Sequence, residues 1–125
     1  MTYTEKKNFM EQLNRIELRG IVGNVRQMSY PDSLLTRFSL VTNYAYKDRD
    51  GNAVIEPSWH NVTAWNGKYI PDLSAMEKGD RVYVVGRLRY QKVTAADGTD
   101  RYYTEILATK VEVLPDSDTL QYEML

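Results

Sequence analysis

The fold of this chain is decided by the stretch Ser58-Trp-His-Asn-Val-Thr-Ala-Trp65, which contains both tryptophans. Successive side chains along a β-strand point to opposite faces, so positions 59 and 65 fall on the same face. Asn61 and Thr63 share that face, whereas Val62 and Ala64 give the opposite face the small, apolar character of a core. We therefore predict a strand whose indoles lie on a solvated face, where flat aromatic rings suit unpaired nucleic-acid bases. The alternative is that this face packs beneath a helix or a partner subunit.

The remaining pattern predicts an all-β protein, a five-stranded barrel with one short helix between strands 3 and 4. Alternating apolar and polar residues indicate strands at 14–26, 35–46, 81–93 and 101–114. The glycines at 20 and 23 mark a bend or bulge, and Asp-Gly pairs at 50–51 and 97–98 suit hairpin turns. Pro71 and Gly79 predict the start and end of the helix. This order is that of a Greek-key OB-fold barrel, although an SH3-like barrel or a small sandwich also fits the pattern.

The composition is typical of one small domain rich in amphipathic aromatic residues. The 125 residues include ten tyrosines and two tryptophans but only two phenylalanines, and Tyr and Trp favour surfaces that are both contacted and wetted. There is no cysteine, which excludes disulfides and favours a reducing, cytoplasmic compartment. No apolar run approaches the roughly 18 residues of a membrane span, and the first residues lack a signal peptide's apolar stretch.

Charge is distributed unevenly along a chain whose formal net charge is −1. That total argues mildly against nucleic acid, because polyanion binders are commonly basic overall. Residues 81–93 nevertheless carry four basic side chains and no acid, whereas residues 112–125 carry four acids and no base. The strand at 81–93 is therefore a basic strip, which serves either phosphate contact or solubility.

Several stretches within residues 14–114 resemble the bacterial single-stranded DNA-binding protein family. The most specific combination is Trp59-His60, then Gly67-Lys68, then Lys-Gly-x-x-Val-Tyr-x-x-Gly-x-Leu at 78–88. Further similar stretches lie at 14–23, 38–42 and 97–105. The resemblance implies an OB-fold that binds single-stranded DNA without strong sequence preference, in replication, repair or recombination.

The resemblance also implies which side chains contact DNA. The expected binding residues are Tyr46, Trp59, Trp65, Arg87, Arg89 and Lys92. The three aromatic residues match base-stacking positions of the family, and the basic residues are expected to neutralise phosphates. Val93 stands where the family has a tryptophan, and valine cannot stack on a base. Unless the nearby Tyr90 compensates from the other face, one stacking position is missing.

The resemblance further implies a homotetramer, because His60 matches a histidine at a subunit interface. From the residues alone, a hydrogen-bonded histidine within one barrel is an equal alternative. Family members usually continue through a flexible linker to an acidic tip that recruits other proteins. Residues 115–125 are acidic but contain no such linker, so we expect a short terminal peptide rather than tail-mediated recruitment. The expected organisation is an N-terminal extension at 1–13, the DNA-binding domain at 14–114 and this C-terminal segment.

Catalysis, a metal site and a cofactor are not expected. His60 is the only histidine, there is no thiol, and Tyr69 follows Gly67-Lys68 where a phosphate loop needs Ser or Thr. Two alternatives to general single-strand binding stay open. One is a replication-restart or mobile-element accessory protein of the same fold, and the other is a protein-interaction barrel whose aromatic face is an oligomer interface.

Overall fold

Five long strands close into a barrel in the computed structural model, which describes residues 11–115. The strands are β1 (Ile16–Tyr30), β2 (Ser33–Lys47), β3 (Ala53–Trp65), β4 (Arg81–Thr94) and β5 (Asp100–Leu114). Their order around the barrel is β1-β2-β3-β5-β4, and β4 pairs back onto β1. Only β3 and β5 run parallel, while the other neighbours are antiparallel. The predicted five-stranded barrel is thus confirmed, and residues 1–10 and 116–125 of the two predicted terminal segments lie outside the described residues.

Two tight turns connect the hairpins at the predicted Asp-Gly pairs. Gly51 has φ 83° and Gly98 has φ 85°. This left-handed backbone conformation is unfavourable for residues other than glycine. In the first turn, the Asp48 carboxylate accepts the backbone N–H groups of Asp50 and Asn52, both at 2.9 Å. These local bonds set the register of the long β2–β3 hairpin, in which Lys47 pairs with Ala53 and Leu35 with Trp65.

The core fills the barrel with side chains from all five strands and from the segment between β3 and β4. Its fully buried members, each less than 2% exposed, include Val22, Leu40, Val62, Ala64, Val82, Val84 and Val111. The register of β1 shifts between Val22 and Val25, which confirms the bulge predicted near Gly23. Because of this shift, Val22 and Val25 both contact the core although three positions separate them.

The predicted helix between strands 3 and 4 is wrong, because residues 71–79 form successive turns. The Asp72 carboxylate accepts the N–H of Ser74 at 2.9 Å, and such a local bond competes with helical bonding. The Met76 N–H donates to the Leu73 carbonyl at 3.0 Å, three residues back instead of four. Leu73, Met76 and Ile70 are nevertheless buried. The apolar spacing therefore identified residues that close the barrel, but not their backbone conformation.

Within residues 11–115, no helix has the length and apolar character needed to cross a membrane. The same residues contain no group of three or more His, Asp or Glu side chains positioned to hold a metal ion.

Candidate nucleic-acid interface

The two tryptophans of β3 lie on the outside of the barrel, as the alternation predicts. Trp59 is 62% exposed and Trp65 is 43% exposed, whereas Val62 and Ala64 on the opposite face are almost fully buried. We call the side of β3 that carries both indoles the outer face. None of the described residues covers it with a helix, since residues 66–80 form turns and loops.

Trp59 is positioned by the bulge in β1. Its six-membered ring lies directly over Gly23, where a β-carbon would approach the ring to 2.7 Å and the Ser39 hydroxyl oxygen to 2.6 Å. That hydroxyl accepts the Asn24 N–H at 2.8 Å, which ties the bulge to β2. Glycine at position 23 is therefore required for the indole to lie against the sheet. Lys78 lines the same shallow depression beside the ring.

Each of the other two predicted stacking rings has an aromatic neighbour. The centroids of Trp65 and Tyr30 are 5.6 Å apart, with the rings tilted by 39°. Tyr46 is 43% exposed and stacks on Tyr44, with a centroid separation of 6.1 Å. Tyr30 and Tyr44 are also exposed. Tyr44 and Tyr46 have the strand parity of Leu40, which pairs with His60, so this pair of rings lies on the side of the β2–β3 hairpin opposite the indoles. The Tyr-Ala-Tyr spacing at 44–46 could have identified Tyr44, whereas Tyr30 is recognisable only once β1 folds beside β2.

A groove crosses the outer face between the tryptophans and the β4–β5 hairpin. Its polar and aromatic lining is Asn24, Arg26, Arg37, Ser39, Asn61, Thr63, Gln91, Tyr103 and Glu105, together with Val93 and parts of Phe38 and Val62. Asn24 and Ser39 also line the depression beside Trp59, so this groove and the indole are continuous. Arg26 and Arg37 are direct partners across β1 and β2. Sequence reasoning missed both, because nothing local indicates that these strands meet at the groove.

Arg89, a predicted phosphate contact, is held by a carboxylate within the groove. Its Nε donates to Glu105 Oε1 at 2.8 Å and its Nη2 donates to the same oxygen, while the Thr63 hydroxyl donates to Oε2 at 2.7 Å. The side chains of Arg89 and Glu105 are 32% and 11% exposed. Burial by itself would raise the pKa of Glu105, but the hydrogen bonds from Thr63 and Arg89, together with the charges of Arg89 and Arg37, outweigh burial and lower that pKa. The carboxylate is therefore ionised at neutral pH and forms an ion pair with Arg89.

The predicted basic residues do not share one surface. Arg89 shares the face of its cross-strand partner Glu105, while Lys92 points to the other side of the hairpin and forms an ion pair with Asp100 at 3.2 Å. Arg87 is exposed, with the strand parity of Arg89. Tyr90 lies on the side of Lys92, away from Val93. The structure thus brings only part of the predicted cationic set to the outer face.

His60 faces away from the tryptophans and has a partner within its own barrel. Its Nε2 lies 2.9 Å from the Thr42 hydroxyl oxygen, and its backbone is paired with Leu40. The ring is half-buried at the edge of the core. This contact satisfies one ring nitrogen, and the predicted role at a subunit interface stays a prediction.

Comparison with known families identifies the barrel. The model of the family described as "Single-strand binding protein family" matches residues 13–114. The chain belongs to this family. The resemblance noted in the sequence is thereby confirmed, and so is the OB-fold that the family implies.

Relatives and solved structures agree with this assignment. The single-stranded DNA-binding protein of Xanthomonas axonopodis pv. citri is 36% identical over 110 residues, which are 82% of this chain and 58% of that protein. That of Xylella fastidiosa strain Temecula1 is 34% identical over 82% of this chain and 63% of its own length. The chain thus spans about 60% of the length of these relatives. The structure described as a Plasmodium falciparum SSB complex with ssDNA superposes with a TM-score of 0.66, at 29% identity over 83% of this chain and 96% of that one.

Proposed function

We propose that this protein binds single-stranded DNA without strong sequence preference, by stacking bases on Tyr46, Trp59 and Trp65 and neutralising phosphates with basic side chains. The observation that carries the proposal is the exposure of both indoles on an outer face that opens into a groove with arginines. Stacking on an aromatic ring tolerates any base, because every base has a π-face. Family membership supports the same partner.

The cationic part of the site is proposed to be wider than the strip on β4. Arg26 and Arg37 line the groove beside the outer face, and Lys78 lies next to Trp59. Arg87, Arg89 and Lys92 remain proposed phosphate contacts, with Arg89 shared between phosphate and Glu105. A net charge of −1 is compatible with DNA binding if these side chains act locally.

Titration with oligothymidine at low salt, followed by tryptophan fluorescence, tests this proposal. We expect quenching of both indoles, an affinity that falls with salt, and much weaker binding of a duplex of equal length, whose bases are not free to stack. Unchanged fluorescence and no retention of oligothymidine at low salt would contradict the proposal and favour a protein-interaction barrel.

We further propose a homotetramer that protects single strands in replication, repair or recombination, on the basis of family membership. Sedimentation at micromolar concentration tests the assembly, and a monomer would exclude it. Complementation of a bacterium depleted of its own single-stranded DNA-binding protein tests the cellular role. Failure to complement, with DNA binding intact, would favour a restricted accessory role.

A further inference from the structure

Tyr103 of β5 faces the groove on the side of Val93. It pairs directly with Gln91, while Val93 pairs with Arg101. Directly opposed residues of an antiparallel pair share a face, so Tyr103 is the diagonal neighbour of Val93. Diagonal neighbours in a sheet are roughly 7–8 Å apart, within reach of an aromatic side chain. The ring of Tyr103 therefore lies over the part of the groove where Val93 offers no flat surface.

The Tyr103 ring is available for contact. Its residue is 51% exposed, and the aromatic pairs found among residues 11–115 join Tyr30 to Trp65 and Tyr44 to Tyr46, leaving Tyr103 without an aromatic partner. A core tyrosine would be buried and hydrogen-bonded, and this one is neither enclosed nor part of the core cluster.

The surroundings of Tyr103 favour an anionic strand. Arg26 and Arg37 line the same groove, and the charge of Glu105 is compensated by Arg89. An aromatic face flanked by arginines matches a nucleotide unit, in which a flat base is attached to a charged phosphate.

We propose that Tyr103 is a further base-stacking residue, which supplies from β5 the aromatic surface that Val93 does not supply from β4. This inference rests on the DNA binding proposed above. It extends the path of the bound strand from Trp59 along the groove to the β4–β5 hairpin. Tyr90, which the sequence suggested as the compensating ring, lies on the opposite side of that hairpin.

The test compares substitutions of Tyr103 with a matched control on the adjacent residue. Tyr102 is 70% exposed and pairs with Lys92, on the other side of the same hairpin. We expect Tyr103→Ala and Tyr103→Leu to weaken oligothymidine binding about 5- to 150-fold, the equivalent of about 1–3 kcal/mol for one stacked base. Tyr103→Phe keeps the ring and should bind within about threefold of the unmodified protein, and Tyr102→Ala within about twofold. If the Tyr103→Ala variant does not fold, the comparison of Tyr103→Leu with Tyr103→Phe tests the proposal.

The outcomes separate this inference from the proposed function. Absence of oligothymidine binding by the unmodified protein would overturn both. Binding that is weakened by Trp59→Ala but indifferent to Tyr103→Leu would overturn the role of Tyr103 alone. Equal losses for Tyr102→Ala and Tyr103→Ala, or a changed sedimenting mass for Tyr103→Ala, would also overturn it, since the ring would then act through the hairpin as a whole or at a subunit contact.

Discussion

Replacement of Glu105 by glutamine removes the single carboxylate among the residues that line the groove, while it preserves the size of the side chain. The carboxylate accepts hydrogen bonds from Arg89 and from the Thr63 hydroxyl. A guanidinium has only donors, so the amide oxygen of glutamine must turn toward Arg89. The amide nitrogen then donates to the Thr63 oxygen, which accepts as readily as it donates. The network stays connected, and the substitution isolates the effect of the charge.

Stability and DNA affinity should change in opposite directions. Hydrogen bonds to a charged group contribute about 1.5–3 kcal/mol against about 1 kcal/mol for neutral ones, and the 32% exposure of Arg89 reduces the difference through solvent screening. We therefore expect Glu105→Gln to lower the free energy of unfolding by about 1–2 kcal/mol. With the competing charge removed, Arg89 can pair with a phosphate, and the slope of log affinity against log salt should steepen by about 0.7.

The stability effect should depend on pH in a defined direction. Hydrogen bonds from Thr63 and Arg89, together with the charges of Arg89 and Arg37, outweigh burial and hold the folded-state pKa of Glu105 below its usual value, which is about 4.3 in an unfolded chain. The carboxylate therefore stabilises the fold fully above the unfolded-state pKa, and this contribution is lost as the pH falls through the lower folded-state pKa. The stability difference between the unmodified protein and Glu105→Gln should be largest above about pH 5 and shrink below about pH 4.

Urea unfolding at several pH values and oligothymidine titration at several salt concentrations measure both effects. Glu112→Gln is the matched control, because Glu112 forms an exposed ion pair with Lys110 at 3.0 Å on the same strand. The control should change stability by less than about 0.5 kcal/mol and leave the salt slope unchanged. If Glu105→Gln weakens DNA binding, or leaves the salt slope as it was, then Glu105 does not compete with phosphate for Arg89 and the reasoning is refuted.

Three further predictions concern the aromatic rings and the assembly. Trp59→Ala and Trp65→Ala should each weaken oligothymidine binding by about 1–3 kcal/mol. Urea unfolding should show a smaller loss of stability than the roughly 3–5 kcal/mol expected for truncation of a buried tryptophan. A loss of stability of that size with unchanged DNA affinity would place the indoles in a core. Gly23→Ala puts a methyl group 2.7 Å from the Trp59 ring, so it should displace the indole, shift its fluorescence and weaken DNA binding. A variant with unchanged fluorescence spectrum and unchanged DNA affinity would show that the position of the ring does not depend on this contact. His60→Ala should reduce the sedimenting mass of a tetramer if the histidine lies between subunits, whereas an unchanged tetramer would assign it to the barrel through its contact with Thr42.

Local signals were sufficient for the strands and for the exposure of the tryptophans. Alternation places Trp59 and Val62 on opposite faces whatever the strand pairs with, because the period of two is a property of the extended backbone. The turns at Gly51 and Gly98 follow equally from the need for positive φ at that point of a hairpin. The predicted helix between β3 and β4 was wrong because its signals reported burial and not backbone conformation. Leu73 is buried as the apolar spacing indicated, but the hydrogen bond between Asp72 and Ser74 and the closing of the barrel by Leu73 determine the backbone conformation there.

The composition of the groove depends on which strands become neighbours, and no local pattern contains that information. Thr63 and Glu105 are 42 positions apart and meet because β3 and β5 run side by side in the closed barrel. The pairing of β4 with β5 skips Thr109 between Val85 and Gly86, so Val111 and Ala108 are both buried although they differ in strand parity. This bulge in β5 places Tyr103 and Glu105 on the groove side. A one-residue shift in a strand exchanges its faces, so the residue types of a site can be found in the sequence while their shared surface is set by barrel closure.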